Sequence, residues 1–345
     1  MLASVLIPTY RRPARLAACL RALSAQTIDG FEVLVGIDGP DGESVSAARG
    51  AWSVDPARLT VAEFPREGYN ASRNRLLAAA RGRVMISIND DVAPDPAFVE
   101  VHTREHAPGV ANGRPAVVVG RSPWRRPADP TVFDLLVQRT SMIFFYDRMD
   151  TPEGLADPGR DWGYRHAYGL NLSAPLDLVR RAGGFTALPL AYGYDDLELA
   201  WRLKAHFGLP VLYRPGAHAE HDHRYTPAEV LDREERLGSS AWGFAWARPA
   251  FAIDLFGRDL RSPAESAYAR AFVERESAAA DRAREGFLAL GRTPAPASND
   301  PASPALIRWA AEGARLLRRW HWNTGYLRAA HASAGALGPA LARPA

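Results

Sequence analysis

Short apolar segments alternate with helical patterns through the first hundred residues, and this alternation limits the fold more than any other feature of the chain. Leu16, Leu20 and Leu23 recur at the spacing of one helix face within residues 15–26, and Pro13 stands where that helix would begin. Strands that alternate with helices in this way predict a parallel sheet covered by helices. The predicted strands cover residues 4–7, 31–37, 59–64 and 83–88, and the predicted helices cover residues 15–26 and 71–80.

The pattern is less regular after the first third of the chain, which becomes helical from Pro227. We therefore expect two domains, an α/β domain over residues 1–230 and a mostly α-helical C-terminal extension over residues 231–345. Prolines among small polar residues predict a linker near residues 293–304, and small residues from Ser333 predict a disordered tail. The other predicted elements are strands at 117–120 and 211–213, helices at 133–145, 196–206 and 306–321, and a loop at 151–163.

Composition excludes several classes of protein. The chain has 42 basic and 39 acidic residues, a net charge of +3, and Lys204 as its only lysine, so its basic character comes from arginine. No run of basic residues interleaved with aromatics is typical of a nucleic-acid module, and we expect no nucleic-acid partner. Cys19 is the only cysteine, which excludes a disulfide within the chain, and its apolar neighbours predict a buried position.

The sequence shows neither a signal peptide nor an apolar run near the roughly 20 residues that a membrane span needs. We therefore expect a cytoplasmic protein, and peripheral association with the inner face of a membrane stays open. Trp309, Trp320 and Trp322 stand among arginines near the C-terminus, a composition found in interfacial helices. The same stripe equally fits packing on its own domain or self-association.

Polar residues follow three of the predicted strands. A Pro-Thr-Tyr run at 8–10 follows the first strand, Asp38 follows the second and Asn-Asp-Asp at 89–91 follows the fourth. The carboxyl ends of parallel strands meet at one edge of a sheet, where ligands bind in open α/β folds. Two carboxylates beside an amide can hold a hard cation that carries a diphosphate. The same residue types are also common in turns, so a turn is the alternative interpretation.

Arg73 stands near the start of the predicted helix at 71–80. At that position its guanidinium could pair with a phosphate or with Asp38. An ordinary solvated arginine is the alternative interpretation.

Short motifs spread along the chain are its most specific feature. They are Ser4-Val5-Leu6-Ile7-Pro8-Thr9-Tyr10-Arg11-Arg12-Pro13, Ala25-Gln26-Thr27, Phe31-Glu32-Val33, Ala71-Ser72-Arg73-Asn74, Ala80-Arg81-Gly82, Asn89-Asp90-Asp91, Gly183-Gly184-Phe185 and the run from Tyr194 to Leu203. In order and spacing they resemble the motifs of family 2 glycosyltransferases of the GT-A fold, over about residues 3–225. The resemblance implies a Rossmann-like nucleotide-binding sheet and an inverting enzyme that uses a nucleotide sugar.

The resemblance also implies a donor site at the strand ends. It casts Thr9 and Asp38 as contacts to the base and the ribose, since a carboxylate accepts hydrogen bonds from base NH groups and ribose hydroxyls. Asn171 lies in a region that lines the donor sugar in the family, although an asparagine there could equally cap a turn. The donor-site residues implied in this way are Pro8, Thr9, Tyr10, Arg12, Asp38, Arg73, Asn89, Asp90 and Asn171.

The acidic cluster corresponds to the family's DXD motif, which presents Mg²⁺ or Mn²⁺ to the donor diphosphate. Asn89 replaces the first Asp of that motif, so the site loses one negative charge and Asp91 becomes the first candidate for a direct metal ligand. In related enzymes a histidine after this strand completes the metal or diphosphate site, which points to His221 or His223. A histidine at a sheet end is equally a common structural residue.

Asp195 and Asp196 correspond to the family's acidic pair, one member of which deprotonates the acceptor hydroxyl. The Trp-Arg-Leu run that follows favours Asp196, although both acids also suit a helix N-terminus. We therefore expect the acceptor oxygen to displace the nucleoside diphosphate in one step, with Asp196 or Asp195 as base.

Two other classes of function are weighed against sugar transfer. A metal-dependent nucleotidyltransferase usually carries a glycine-rich loop after its first strand, and residues 8–12 contain no glycine. A non-catalytic nucleotide-sugar or glycan-binding relative is suggested only by Asn89, whereas the intact acidic pair favours an enzyme. The predicted acceptor is a glycan, a lipid-linked molecule or a small molecule, and the sequence names neither it nor the donor sugar.

Overall fold

In a computed structural model of the protein, which describes residues 1–107, 114–188, 192–297, 300 and 303–337, eight strands form one mixed sheet. The strands are β1 (Ala3–Thr9), β2 (Phe31–Asp38), β3 (Leu59–Phe64), β4 (Val84–Ile88), β5 (Val92–Pro94), β6 (Val117–Arg121), β7 (Asn171–Pro175) and β8 (Val211–His221). Their order across the sheet is β3-β2-β1-β4-β7-β6-β8-β5.

The first four strands form the parallel part of this sheet. β1 lies between β2 and β4, and β2 also pairs with β3, all in the same direction. Every residue of β1, β2 and β4 is buried, as expected of parallel strands covered on both faces. The parallel sheet predicted for the first hundred residues is therefore confirmed. Thr9, Asp38 and Asn89, which end or follow these strands, consequently lie at one edge of the sheet.

Two of the remaining strands, β5 and β7, depart from the parallel pattern. β7 runs antiparallel to both β4 and β6, and β5 runs antiparallel to β8. β8 is parallel to β6 and continues to His221, well past Tyr213 where the predicted strand ended. Pro215 and Gly216 caused that difference, because both residue types are unusual within strands. The register of β6 against β8 shifts at this point, which accommodates them.

The helices in chain order are α1 (Pro13–Ser24), α2 (Gly42–Ala51), α3 (Tyr69–Ala79), α4 (Phe98–Glu105), α5 (Val132–Arg139), α6 (Tyr146–Met149), α7 (Pro152–Leu155), α8 (Leu176–Arg181), α9 (Asp195–Phe207), α10 (Pro227–Ala247), α11 (Pro249–Phe256), α12 (Pro263–Ala289) and α13 (Ser303–Leu337). In α1, Leu16, Leu20 and Leu23 are buried as their spacing predicted, and Cys19 is buried beside them.

The chain divides into two units. Residues 1–125, 144–189 and 195–223 form the first, which holds the whole sheet.

The second unit comprises residues 126–143, 190–194 and 224–345, and its described part is built mainly from α10 to α13. Gly238 of α10 lies so close to α13 that a Cβ there would overlap the carbonyl of Trp322. The Trp322 indole donates to the Tyr194 hydroxyl at 3.0 Å and Trp320 donates to a backbone carbonyl, so both pack within this unit. Trp309 is 67% exposed. A role for this helix in membrane contact or self-association stays a prediction.

No helix among the described residues is both long and apolar enough to cross a membrane.

Some predicted boundaries were wrong. The helix predicted at 133–145 ends at Arg139, because Thr140 adopts an extended conformation and its hydroxyl bonds back to a helix carbonyl. The loop predicted at 151–163 contains the single turn α7. The last helix continues to Leu337, past the predicted start of the tail at Ser333, and the rest of the tail lies outside the described residues. Residues 298, 299, 301 and 302 of the predicted linker also lie outside them.

Candidate active site

Two carboxylates converge at the carboxyl end of β4, as the sequence predicted. Asp90 Oδ2 accepts a 2.6 Å hydrogen bond from the Thr9 hydroxyl at the end of β1. Both Asp90 and Asp91 are buried. The residues after the first and fourth strands are therefore joined directly through this hydrogen bond.

A guanidinium lies between these two carboxylates. Arg12 Nη1 is 3.2 Å from Asp90 Oδ1 and 3.1 Å from Asp91 Oδ2. Arg15, one turn further along α1, places its Nη1 3.6 Å from Asp91 Oδ2. The side chains of Arg12 and Arg15 remain 45% and 39% exposed. The protein therefore supplies two positive charges to two buried carboxylates.

His221 and His223 approach the same carboxylate from the end of β8. His221 Nε2 lies 3.4 Å from Asp91 Oδ1, and His223 Nδ1 lies 3.7 Å from Asp91 Oδ2. The His221 ring stacks on Trp124, with 4.4 Å between ring centroids, which holds its orientation. The structure thus brings together the three residues predicted as metal ligands.

The two carboxylates have opposite pKa shifts. Burial and the charge of Asp91 raise the pKa of Asp90 to about 6, against the opposing effect of Arg12. Burial also raises the pKa of Asp91, but contact with His221, the charge of His221 and that of Arg12 outweigh it and hold the pKa at about 2. Asp91 is therefore the more firmly ionised of the two.

Divalent-cation binding fits these side chains in donor chemistry, since carboxylate oxygens suit Mg²⁺ and Mn²⁺ and imidazole nitrogens bind several divalent transition metals. Asp91 Oδ1 is buried and faces His221 Nε2 at 3.4 Å, which brings a carboxylate oxygen and an imidazole nitrogen together. Among the described residues, however, no three His, Cys, Asp or Glu side chains already converge in a geometry that would hold a metal ion. The metal roles of Asp91, His221 and His223 stay predictions.

Asn89, the residue that replaces the first acid of the motif, accepts a 2.7 Å hydrogen bond from the Tyr69 hydroxyl through its Oδ1. The Tyr69 ring also covers one side of the Arg73 guanidinium at 4.2 Å, and Phe185 covers it at 4.4 Å. Tyr69 is therefore the physical link between the strand end and Arg73.

Arg73 does not pair with Asp38, and it is not a solvated arginine either, whereas its predicted contact to a phosphate stays a prediction. Its side chain has no exposed surface, and Nη1 lies 3.0 Å from Asp195 Oδ2 and 2.6 Å from Asp196 Oδ1. Nη2 donates to Ser87 Oγ at 2.9 Å and to the Gly169 carbonyl at 3.2 Å. Asp195 and Asp196 at the start of α9 account for this position of Arg73, because burying a carboxylate without a partner cation is energetically costly.

Asp196 is the more accessible member of the acidic pair. Its side chain is 22% exposed, against 7% for Asp195, and its Oδ2 accepts from the Gly169 backbone at 2.9 Å. Burial and the nearby charge of Asp196 raise the pKa of Asp195. A Cβ on Gly169 would overlap the Asp196 carboxyl, so only glycine leaves room for this contact.

A second buried ion pair positions α9. Glu198 accepts from Arg202 at 2.6 Å and 2.7 Å and from the Thr186 hydroxyl at 2.9 Å. Arg202 also donates to the Gly184 carbonyl at 2.6 Å. The Gly-Gly-Phe motif, which includes Phe185, is thereby tied to the helix that carries the acidic pair.

The residues predicted to hold the nucleotide lie beside the cluster. Asp38 Oδ1 accepts from the backbone of Glu67 and Gly68 at 3.0 Å and 3.1 Å, which fixes the turn before α3. Gly68 has a φ of 98°, a conformation that favours glycine. Pro8 is buried, and two residues later Tyr10 lies under the Arg66 guanidinium at 4.4 Å. The nucleotide contacts assigned to Pro8, Tyr10 and Asp38 stay predictions.

Asn171 does not fit the predicted contact to a donor sugar. It is fully buried in β7, and its Oδ1 accepts from His102 Nε2 at 2.8 Å. Its amide donates to the Ala217 carbonyl at 2.9 Å and to Ser122 Oγ at 3.2 Å. Its hydrogen-bonding capacity is used within the sheet, and this is a structural role.

Sequence reasoning missed several contributors to this site. Arg15 could have been found, since it lies one helical turn after Arg12. Tyr69, Ser87 and Gly169 carry no signal of their own, because their roles depend on Arg73, which reaches them only in the folded chain.

Residues 4–166 match the family model described as glycosyl transferase family 2. Two validoxylamine A glucosyltransferases, from Streptomyces hygroscopicus subsp. jinggangensis (strain 5008) and subsp. limoneus, are each 30% identical over 230 residues. These alignments cover 61% of this chain and 53% and 49% of the two relatives. The chain therefore spans about half the length of the relatives it matches.

A solved structure extends the comparison over nearly the whole chain. The mannosyltransferase PcManGT from Pyrobaculum calidifontis, solved in complex with GDP-Man and Mn²⁺, superposes with a TM-score of 0.55 at 19% identity. The superposition covers 96% of this chain and 86% of that one. At this identity the likeness concerns the fold alone, and it confirms the predicted GT-A architecture of an α/β sheet followed by helices.

Proposed function

We propose, because residues 4–166 match the model of glycosyl transferase family 2, that this chain transfers a sugar from a nucleotide diphosphate sugar to an acceptor hydroxyl with inversion at the anomeric carbon. The glucosyltransferase relatives and the GDP-Man complex of the structural neighbour support this substrate class. The family resemblance of the acidic pair supports the inverting course.

One observation carries the proposal. Arg73 bonds Asp195 and Asp196 with one nitrogen and Ser87 with the other, and Ser87 lies on the strand that leads to Asn89. The acidic pair is therefore held beside the strand end that carries Asp90 and Asp91. A donor diphosphate at the strand end and a base beside it are the two requirements of direct displacement.

The donor would lie across the carboxyl ends of β1, β2 and β4. Thr9, Tyr10 and Asp38 flank the place proposed for the nucleoside, and Arg12 offers a partly exposed guanidinium for the diphosphate. Guanidinium and phosphate form strong paired hydrogen bonds, so Arg12 would orient the donor as well as balance its charge.

The reaction is a single displacement. The acceptor oxygen forms a bond to the anomeric carbon as the bond from that carbon to the phosphate oxygen breaks, and the electron pair leaves with the nucleoside diphosphate. The acceptor proton passes to Asp196, whose carboxylate is the more accessible of the pair and still has lone pairs beyond its contacts to Arg73 and Gly169. Asp195 stays beside it as a second proton acceptor.

A divalent cation bound through Asp91, with His221 or His223, would supply positive charge to the departing diphosphate. Burial and the packing of His221 on Trp124 hold these protein ligands in place without it.

The direct test is a donor screen on the full chain. UDP-, GDP- and dTDP-sugars with Mn²⁺ are expected to include at least one that raises the melting temperature and is slowly hydrolysed to its nucleoside diphosphate. NMR of the released sugar should show the anomeric configuration opposite to that of the donor. Failure of every donor to bind or react would contradict sugar transfer, and retained configuration would contradict the inverting course.

A further inference from the structure

The strand-end cluster is electrically balanced by the protein itself. Asp90 and Asp91 contribute two negative charges, and the guanidinium groups of Arg12 and Arg15 contribute two positive charges at 3.1–3.6 Å. Asn89 adds no charge where the family motif has an acid. The cluster therefore has no surplus negative charge with which to attract a divalent cation.

Arg12 also occupies the space that bridges the two carboxylates. A single nitrogen, Nη1, lies within 3.2 Å of an oxygen from each of them. A cation bridging Asp90 and Asp91 would compete for those same oxygens. In the described residues no preformed group of three His, Cys, Asp or Glu ligands compensates for this competition.

A bound diphosphate changes both the charge balance of the cluster and the position of Arg12 between the two carboxylates. It brings negative charge to the cluster, and its oxygens are better partners for an exposed guanidinium than a carboxylate already shared between two arginines. The Arg12 side chain is 45% exposed, so it can turn toward a ligand at the strand ends without unpacking the core.

On the basis of the proposed function, we infer that Arg12 blocks cation binding in the nucleotide-free protein and moves to the donor diphosphate when the nucleotide binds. Cation and nucleoside diphosphate then bind as a coupled pair, each raising the affinity of the other. Arg12 is the residue that couples them, and Asn89 removes the charge that would otherwise allow the cation to bind alone.

The test measures Mn²⁺ binding to the full chain by the loss of the free-ion EPR signal, with and without GDP or UDP. The wild-type protein is expected to bind Mn²⁺ weakly alone and at least about tenfold more tightly with the matching nucleotide. Arg12→Gln leaves the cluster one positive charge short, and it is expected to bind Mn²⁺ alone at least about tenfold more tightly than the wild type while losing most of the nucleotide effect.

Arg11→Gln is the matched control. It removes the same charge from the adjacent residue, whose guanidinium lies over the Tyr10 ring at 5.3 Å, and it should retain the wild-type coupling. Equal Mn²⁺ affinity of the wild-type protein with and without a bound nucleotide would overturn this inference and leave the proposed function standing. Tighter binding by Arg12→Gln with no nucleotide effect in any variant would overturn the coupling and also count against the proposed function.

Discussion

Arg73 and Asp196 are joined by a 2.6 Å hydrogen bond from Nη1 to Oδ1, and the guanidinium that makes it has no exposed surface. The same nitrogen contacts Asp195 at 3.0 Å, so one buried cation holds two adjacent carboxylates together. Tyr69 and Phe185 cover its two faces. The arrangement holds the proposed base, Asp196, in a fixed position beside Asp195.

Arg73→Met should destabilise the protein strongly, because it leaves two buried carboxylates without their cation. Breaking a buried ion pair from one side costs about 3–5 kcal/mol, and urea denaturation would measure the loss. Arg75→Met is the control, since Arg75 lies on the same helix but pairs with the half-exposed Glu67, where a loss of about 0–1 kcal/mol is expected.

If Arg73→Met does not fold, Arg73→Lys is the informative variant. It keeps the charge but cannot reach Asp195, Asp196 and Ser87 at once, so it should fold with lower stability and lower kcat. Wild-type stability in Arg73→Met would show that the acidic pair does not depend on this cation.

Asp196→Asn should lower kcat for the donor found in the screen by about 10²–10⁴-fold, because the amide cannot take the acceptor proton. The variant keeps the shape of the side chain, so its melting temperature reports folding independently of turnover. Asp177→Asn, an exposed acid on α8, should keep wild-type turnover. Near-normal turnover in the double variant Asp195→Asn/Asp196→Asn would remove the pair from the reaction, since neither acid could then replace the other.

Gly169→Ala should displace the Asp196 carboxyl, since the new Cβ would occupy its position. Overpacking of this kind typically costs about 1–3 kcal/mol, and kcat should fall together with stability. Gly50→Ala is the matched control, because Gly50 lies in α2 with open space around its Cβ position and alanine is expected to stabilise the helix by about 0.5–1 kcal/mol. Equal effects of the two substitutions on stability and kcat would contradict the close approach of Gly169 to the Asp196 carboxyl.

The buried His102 and the partly buried His106 should make the protein sensitive to acid. Burial lowers the pKa of His102 to about 4 and that of His106 to about 3. Both pKa values lie far below the usual histidine pKa of about 6.5. Below pH 6.5 the unfolded chain therefore binds more protons than the folded one. Their stabilising effect is therefore complete above about pH 6.5 and is lost as the pH falls toward 4, by up to about 1.4 kcal/mol per pH unit for each histidine.

Urea denaturation at several pH values would measure this slope. His102→Gln should reduce the slope between pH 6.5 and 4, whereas His206→Gln, at an exposed position of α9, should leave it unchanged. A slope unaffected by His102→Gln would mean that His102 is not responsible for the acid sensitivity.

Local patterns in the sequence were enough to predict the central part of the fold. The strand at 59–64 was predicted to the residue, and the leucine spacing of α1 predicted its buried face, because a parallel β/α series repeats over short distances. The reversed direction of β7 was not predictable in this way, since its pairing with β4 joins residues far apart in the chain.

The sequence by itself determined which residues come to the edge of the sheet, because Thr9, Asp38 and Asn89 follow strands whose direction their connections dictate. Only the tertiary structure decided how the charges pair. Arg73 binds Asp195 and Asp196, and Arg12 binds Asp90 and Asp91, because a buried carboxylate must find a cation and the available cation is set by packing rather than by sequence distance.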